Sequence, residues 1–170
     1  MALVREEQPV AVSITDVLEE VLNAYSEKIA YKQITIERRY DFKQKIQSNS
    51  GAIRQVFADI VLNALESAPF QTGKLVLHTS ACFRSRHSIR GVQVVFADNG
   101  PGIPEENKRR VFEPLFSTKN GKGSGLGLWV AARLVRQLNG HLRMHSRSES
   151  INSGSCFSVF LPLSPGERLC

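Results

Sequence analysis

Between Phe57 and Ala68 the chain sets Asp59, Asn63 and Glu66 among apolar neighbours. At about 100° per residue these three fall within about 60° of one another on a helix, opposite Phe57, Ile60, Val61, Ala64, Leu65 and Ala68. Two carboxylates and a carboxamide on one face can hold a hard cation. Mg²⁺ in particular takes few protein oxygens and fills its shell with phosphate and water. The same stripe would also serve as an ordinary solvated face. A second group, DNGPGI from Asp98 to Ile103, follows an apolar strand. An Asp at a strand end can accept from the exocyclic amine of a base. Gly100 and Gly102 let backbone approach a ligand, and Pro101 and Pro104 stiffen the turn. A third, GKGSGLGL from Gly121 to Leu128, opens a helix whose unpaired N–H groups and positive dipole end suit a phosphate. Lys119 and Lys122 flank it. It is not a Walker A loop, which would need glycine in place of Phe116. It is not the dinucleotide fingerprint either, because Leu126 and Leu128 break that pattern.

The elements that must position these groups follow from periodicity. Ser13 and Asp16 read as a capping box for a helix reaching about Tyr31, with Val17, Leu18, Val21, Leu22, Tyr25 and Ile29 inward. Ile34–Phe42 reads as a strand, and the polar QKIQSNSG after it as a loop. Ser50 is expected to cap a helix over Ala52–Ala68, closed by Pro69. Strands Lys74–Phe83 and Gly91–Asp98 are joined by the basic RSRHSIRG. Residues 99–124 hold Gly100, Pro101, Gly102, Pro104, Pro114, Gly121 and Gly123, with a short helical stretch at Glu105–Phe112. They read as a mobile lid. A third helix covers Gly125–Leu138, ended by Asn139-Gly140. Leu142–Ser148 and Ser155–Leu163 finish as strands around the turn INSG. The order implies an α+β two-layer sandwich with about three helices on one face of a mixed five-stranded sheet.

The 170 residues, 42% hydrophobic and 22% charged, suit one globular domain rather than a disordered chain. No apolar run reaches the roughly 20 residues of a membrane span. The opening MALVREEQPV lacks a signal-peptide core, so the expected setting is cytoplasmic, without membrane contact. Cys82, Cys156 and Cys170 are too scattered for a disulfide framework. The first two read as small core residues and Cys170 as a loose terminal thiol. Trp129 reads as core. With 22 Lys+Arg against 16 Asp+Glu, the surplus of +6 favours an anionic partner. Arg84, Arg86, Arg90 and Lys108-Arg109-Arg110 lack the aromatic interleaving of a nucleic-acid surface, so no nucleic-acid partner is expected. An acidic protein surface fits better.

Taken together and in order, the Asn63 helix, DNGPGI, FEPLFSTK (Phe112 to Lys119) and GKGSGLGL resemble the N box, first glycine box, F box and second glycine box of sensor histidine kinases. That family shares its ATP-binding fold with topoisomerase, heat-shock chaperone and mismatch-repair ATPases. The resemblance runs from about Ser13 to Leu163, and GSCFSVFLPL is similar to the family's final strand, with Ser155 where Thr is commoner. It implies ATP and Mg²⁺ as cofactors, with Asn63 coordinating the Mg²⁺ that bridges the phosphates. Asp98 would take the adenine amino group, alongside Gly100, Gly102 and Ile103. The triphosphate would be held by Thr118, Lys119, Lys122, Gly123, Ser124, Gly125, Leu126, Gly127 and Leu128. Phe112 and Phe116 would dock the lid, and Ser155 would complete the site.

Three departures qualify the resemblance. Asp59 stands where kinases of the family often carry Asn. In the related ATPases a Glu there acts as general base, and Asp59 is one methylene shorter. Glu66 stands where many relatives carry a phosphate-facing Lys. Asp59, Asn63 and Glu66 are thus the implied catalytic set. Finally, His78, His87, His141 and His145 precede Thr79, Ser88, Leu142 and Ser146, so none matches the phosphoacceptor motif of histidine followed by an acidic residue. The expected partition is a linker at 1–12 from an upstream dimerisation domain, a catalytic domain at 13–163 with its lid at 99–124, and a tail at 164–170. The chain would then phosphorylate a histidine on a separate dimerisation domain, with a response-regulator receiver domain as further partner, and would be monomeric and inactive as an autokinase alone. Rival readings are a stand-alone anti-sigma-type Ser/Thr kinase, an ATPase using Asp59 as base, and a module that binds ATP without phosphotransfer.

Overall fold

The computed structural model describes residues 8–84, 89–117, 125–148 and 151–164. Val10–Ser13 (β1) leads into helix α1, Ile14–Ala24, where the Ser13 hydroxyl accepts from Asp16 N at 3.3 Å. Ile14, Val17, Leu18, Val21 and Leu22 form its buried face. The single helix expected to Tyr31 breaks at Tyr25 (φ −105°, ψ 12°) and resumes as α2, Ser26–Lys32. Beyond Tyr25 only Ile29 packs against the core, so little burial holds the original axis. Strands β2 (Thr35–Tyr40) and β3 (Lys45–Ser48) follow. The latter lies in the stretch expected to be a loop and pairs antiparallel with β1. Val12 and Ile46 are the buried apolar side chains of this ribbon, at 4% and 0% exposure, with the polar Ser48 buried on the same face, too short an apolar alternation to stand out. Residues 10–12, within the stretch expected as a linker, thus form part of strand β1, with Val12 buried.

Helix α3 spans Ser50–Ser67, but its cap is Asn49, not Ser50: Asn49 Oδ1 accepts from Ala52 N at 2.8 Å. Both residue types can cap, and the extended backbone falls on Asn49 (φ −89°, ψ 110°). Ile53, Val56, Phe57, Ile60, Val61, Ala64 and Leu65 are buried, and Phe57 meets Phe96 with ring centroids 5.4 Å apart. The C-terminal end of α3 is held from α2, where Lys32 Nζ donates to the carbonyls of Leu65 (2.8 Å), Glu66 (3.1 Å) and Ala68 (2.8 Å). A cation on these carbonyls offsets the negative end of the helix dipole. Lys32→Met will lower unfolding free energy by about 1–2 kcal/mol in a urea titration; an unchanged midpoint would show that the cap contributes nothing.

Strands β4 (Lys74–Arg84) and β5 (Ile89–Asp98) pair antiparallel, and their connection at 85–88 lies outside the described residues. The expected helical stretch is instead two short 3-10 turns, Glu105–Asn107 and Arg110–Phe112. Helix α4 runs Gly127–Gln137. Asn139 takes a left-handed φ of 56°, with Asn139 N bonded to Arg136 O (3.0 Å) and Gly140 N to Val135 O (2.8 Å), a Schellman ending. Strands β6 (His141–Arg147) and β7 (Gly154–Pro162) complete a five-stranded sheet of order β2-β4-β5-β7-β6. Only the β2–β4 pair is parallel, so the sheet is mixed, and the helices cover its buried face as expected. Trp129 is not in the core: it is half-buried on α4 beneath the Arg133 guanidinium, 5.6 Å from the ring centroid. Cys82 and Cys156 are likewise only half-buried, on the sheet face turned from the helices. No described helix is long and apolar enough to cross a membrane.

Candidate functional site

The polar stripe of α3 faces the first turn of α4 across an open cleft of about 360 Å³. Asp59, Asn63 and Glu66 line one wall, Gly125, Leu126, Gly127 and Leu128 another, and Phe116 closes a side with Val111 and Ser117. The predicted metal-binding face and the described part of the predicted phosphate loop are therefore brought together. Thr118, Lys119, Lys122, Gly123 and Ser124 lie outside the described residues. Gly125 sits at φ +65°, and a Cβ there would come within 2.6 Å of Leu115 C and 2.7 Å of Phe116 O. Only glycine allows this approach, which pins one end of the 116–125 segment against the other. The Leu126 side chain makes no capping bond to α4, and the first N–H groups of any α-helix have no partner within the helix itself. Gly127 lies under Asp59, its would-be Cβ 3.6 Å from Oδ1.

Within the cleft Asp59 is the strained group. Its Oδ1 accepts from Gln55 Nε2 at 2.9 Å, while its Oδ2 is buried without a hydrogen-bond partner. Burial raises the Asp59 carboxyl above its usual 3.8, opposed by the Gln55 hydrogen bond. A carboxyl whose folded pKa lies above its unfolded value binds the proton more tightly when folded. Its ionisation therefore costs stability above the folded pKa and costs nothing below 3.8. Asp59→Asn will raise the thermal unfolding midpoint at pH 7, and the gain will shrink as pH falls toward 3.8; a gain that does not vary with pH would contradict this. An orphaned carboxylate oxygen beside a carboxamide and a second carboxylate fits a hard cation. Among the described residues no cluster of three or more His, Cys, Asp or Glu could hold a metal alone. The donor set thus suits a cation that shares its shell with a phosphorylated ligand.

Asp98, Gly100, Gly102, Ile103 and Ser155 do not line this cleft. They form a second centre at the end of β5, joined to the first through the last turn of α3. Asp98 Oδ1 accepts from Gly100 N (2.9 Å) and Ser155 N (3.3 Å), which fixes the carboxylate. A Cβ on Gly100 would lie 3.1 Å from Ser67 O, and the Ser67 hydroxyl donates back to Asn63 O at 2.9 Å. Gly102, at φ +75°, presses so closely on β6 that a Cβ would come within 1.9 Å of Arg147 O. Phe112 packs against the core, and Phe116 lies under Arg110, 4.4 Å from guanidinium carbon to ring centroid.

Sequence reading missed several neighbours. Gln55 lies one turn before Asp59 on the same stripe, so its spacing alone could have found it. Tyr25 owes its place to the helix break: its phenol is pushed up by burial and by the charges of Asp59 and Glu66. Lys28 of α2 stands 3.8 Å from Glu66, bringing a cation beside that carboxylate. Of the histidines, His78 Nε2 lies 3.0 Å from Asp41 Oδ2, and His141 and His145 are exposed on β6. His87 is outside the described residues.

Comparison with known proteins gives a consistent family. Sporulation kinase C of Bacillus subtilis is 29% identical over 154 residues, covering 88% of this chain and 33% of that protein. The nucleotide-free catalytic domain of histidine kinase ThkA superposes with a TM-score of 0.81 at 26% identity, covering 95% of this chain and 100% of that one. Histidine kinase ThkA in complex with response regulator protein TrrA matches with a TM-score of 0.76 at 25% identity, covering 94% of this chain and 43% of that one. The chain spans about a third of the length of the curated relatives it matches. Residues 48–165 match the family described as histidine kinase-, DNA gyrase B- and HSP90-like ATPase. The chain therefore belongs to that ATPase family and has the fold of a histidine kinase catalytic domain.

Proposed function

We propose that this chain is the ATP-binding catalytic domain of a two-component sensor histidine kinase, presenting the γ-phosphate of ATP to a histidine on a separate helical dimerisation domain. The observation that carries this reading is the cleft that sets Asn63 opposite the N-terminus of α4. At the second centre beside it, Asp98 accepts from the adenine amino group, and Gly102 packs under the base. The first N–H groups of α4 and the residues at 118–124 hold the phosphates. The Asn63 carboxamide, with Asp59 and Glu66 beside it, holds Mg²⁺, which when bound neutralises charge on the phosphate oxygens. The chain contributes position and electrostatics, and the nucleophile comes from the partner. Residues 13–163 form the catalytic unit, with 1–12 leading from the dimerisation domain, a lid at 99–124 and a tail at 164–170. A response-regulator receiver is the downstream partner, in a cytoplasmic setting. Calorimetric titration with ADP and Mg²⁺ tests the reading: binding at a single site is expected, and no heat of binding at millimolar nucleotide would overturn it.

A further inference from the structure

The register of three strands sets Asp98, Ser155 and Ser146 in one row: Asp98 of β5 opposes Ser155 of β7, which opposes Ser146 of β6. Period-two alternation puts them on the same face as the next row, Phe96, Phe157 and Met144. Ser146 and Ser155 are 4% and 7% exposed. A hydroxyl has one donor and two acceptor sites, and Ser146 fills all three. It accepts from Ile103 N at 2.8 Å and donates to Gly154 O at 2.9 Å. Its one proton is then committed, so the contact at 3.0 Å to Ser155 Oγ must run from the Ser155 hydroxyl to Ser146. Ser155 N in turn donates to Asp98 Oδ1, beside Gly100 N. On the other side of the turn, Ser153 Oγ donates to Gly100 O at 2.9 Å.

We infer that Ser146 is a positioning residue for base recognition, which ties the start of the lid segment at Ile103 to the plane of the Asp98 carboxylate. The inference rests on the proposed pairing of Asp98 with adenine. A carboxylate of fixed plane accepts from an exocyclic amine, whereas guanine presents a carbonyl oxygen at the same ring position and meets it with like charge. Removing the Ser146 hydroxyl leaves Ile103 N, Gly154 O and the Ser155 hydroxyl short of a partner at a buried point. The turn carrying Asp98 then loses its fixed orientation, and the loss falls on the nucleotide that uses it.

Calorimetry with ADP and with GDP, each with Mg²⁺, on the wild-type chain and on Ser146→Ala and Ser146→Thr tests this. Ser146→Ala is expected to weaken ADP about tenfold and leave GDP unchanged, so that discrimination falls about tenfold. Ser146→Thr keeps a hydroxyl and is expected to retain most of the wild-type ratio. A Ser146→Ala chain with the wild-type ADP-to-GDP ratio overturns the inference, as does equal weakening of both nucleotides or a threonine variant that loses as much as alanine. Should Ser146→Ala fail to fold by circular dichroism, Ser155→Ala breaks the same hydroxyl pair, and an unchanged ratio there counts equally against it. Wild-type chain that binds no ADP removes the adenine reading itself, and this inference with it.

Discussion

Asn63→Ala will lower phosphoryl transfer to a histidine-bearing helical domain on the order of 10²-fold or more, the scale at which disturbing a metal's ligand shell cuts affinity or activity. Asn63 is half-buried on the cleft wall of α3, and its carbonyl, which accepts from Ser67, survives the change. Alanine is the better helix former by a few tenths of a kcal/mol, so the unfolding midpoint should hold or rise slightly. Loss of activity with an intact fold is therefore the expected pattern. Transfer assayed by radiolabel at saturating nucleotide checks it, and wild-type rates from the variant would remove Asn63 from the metal. Asn63→Asp sharpens the comparison, since it restores an oxygen ligand while placing a third carboxylate beside Asp59 and Glu66.

Asp98→Asn carries the second large effect, a loss of about 1–3 kcal/mol in nucleotide binding, or roughly 10- to 100-fold in Kd. The substitution is close to isosteric. Asparagine keeps a carbonyl oxygen that can still accept from Gly100 N and Ser155 N, so the turn is preserved while the charge is removed. Calorimetry with ADP reads the effect directly. The same variant should lower the thiol pKa of Cys156, which burial and the Asp98 charge together push up. That second readout separates a change at Asp98 from general loosening of β5 and β7. Unchanged ADP affinity in a folded Asp98→Asn chain would take Asp98 out of the base site.

What was legible in the sequence was local. Asp59, Asn63 and Glu66 share a face because one helix carries all three, and DNGPGI must turn because of its own Gly and Pro content. Five strands could be counted from alternation alone, and the five-stranded sheet contains them all. What was hidden depends on register between distant segments. Ser146 could not be linked to Asp98 from spacing, since nothing in residues 98–155 states which strand lies between β5 and β6. The β1–β3 ribbon was missed because its inward apolar pattern amounts to Val12 and Ile46, the third buried position being the polar Ser48. The break at Tyr25 was missed because the helical spacing continues through it to Ile29, while burial does not. Trp129 was expected in the core from its place among Val130, Leu134 and Leu138, but α4 buries Ala131, Ala132 and Val135, small side chains that bring it close against α3. Asn49 and Ser50 are equally good caps by type, so one residue of register remained for the backbone to decide.

The central claim concerns where the γ-phosphate goes. Incubating the chain with γ-labelled ATP, Mg²⁺ and a separate helical domain bearing the acceptor histidine tests it most directly. Label is expected to pass to the helical domain only when both proteins are present, and to be lost in acid and kept in alkali, as a phosphohistidine requires. Label that survives acid would instead mark a serine or threonine kinase. Inorganic phosphate released at the same rate without the helical domain would mark an ATPase, and either result would contradict the account.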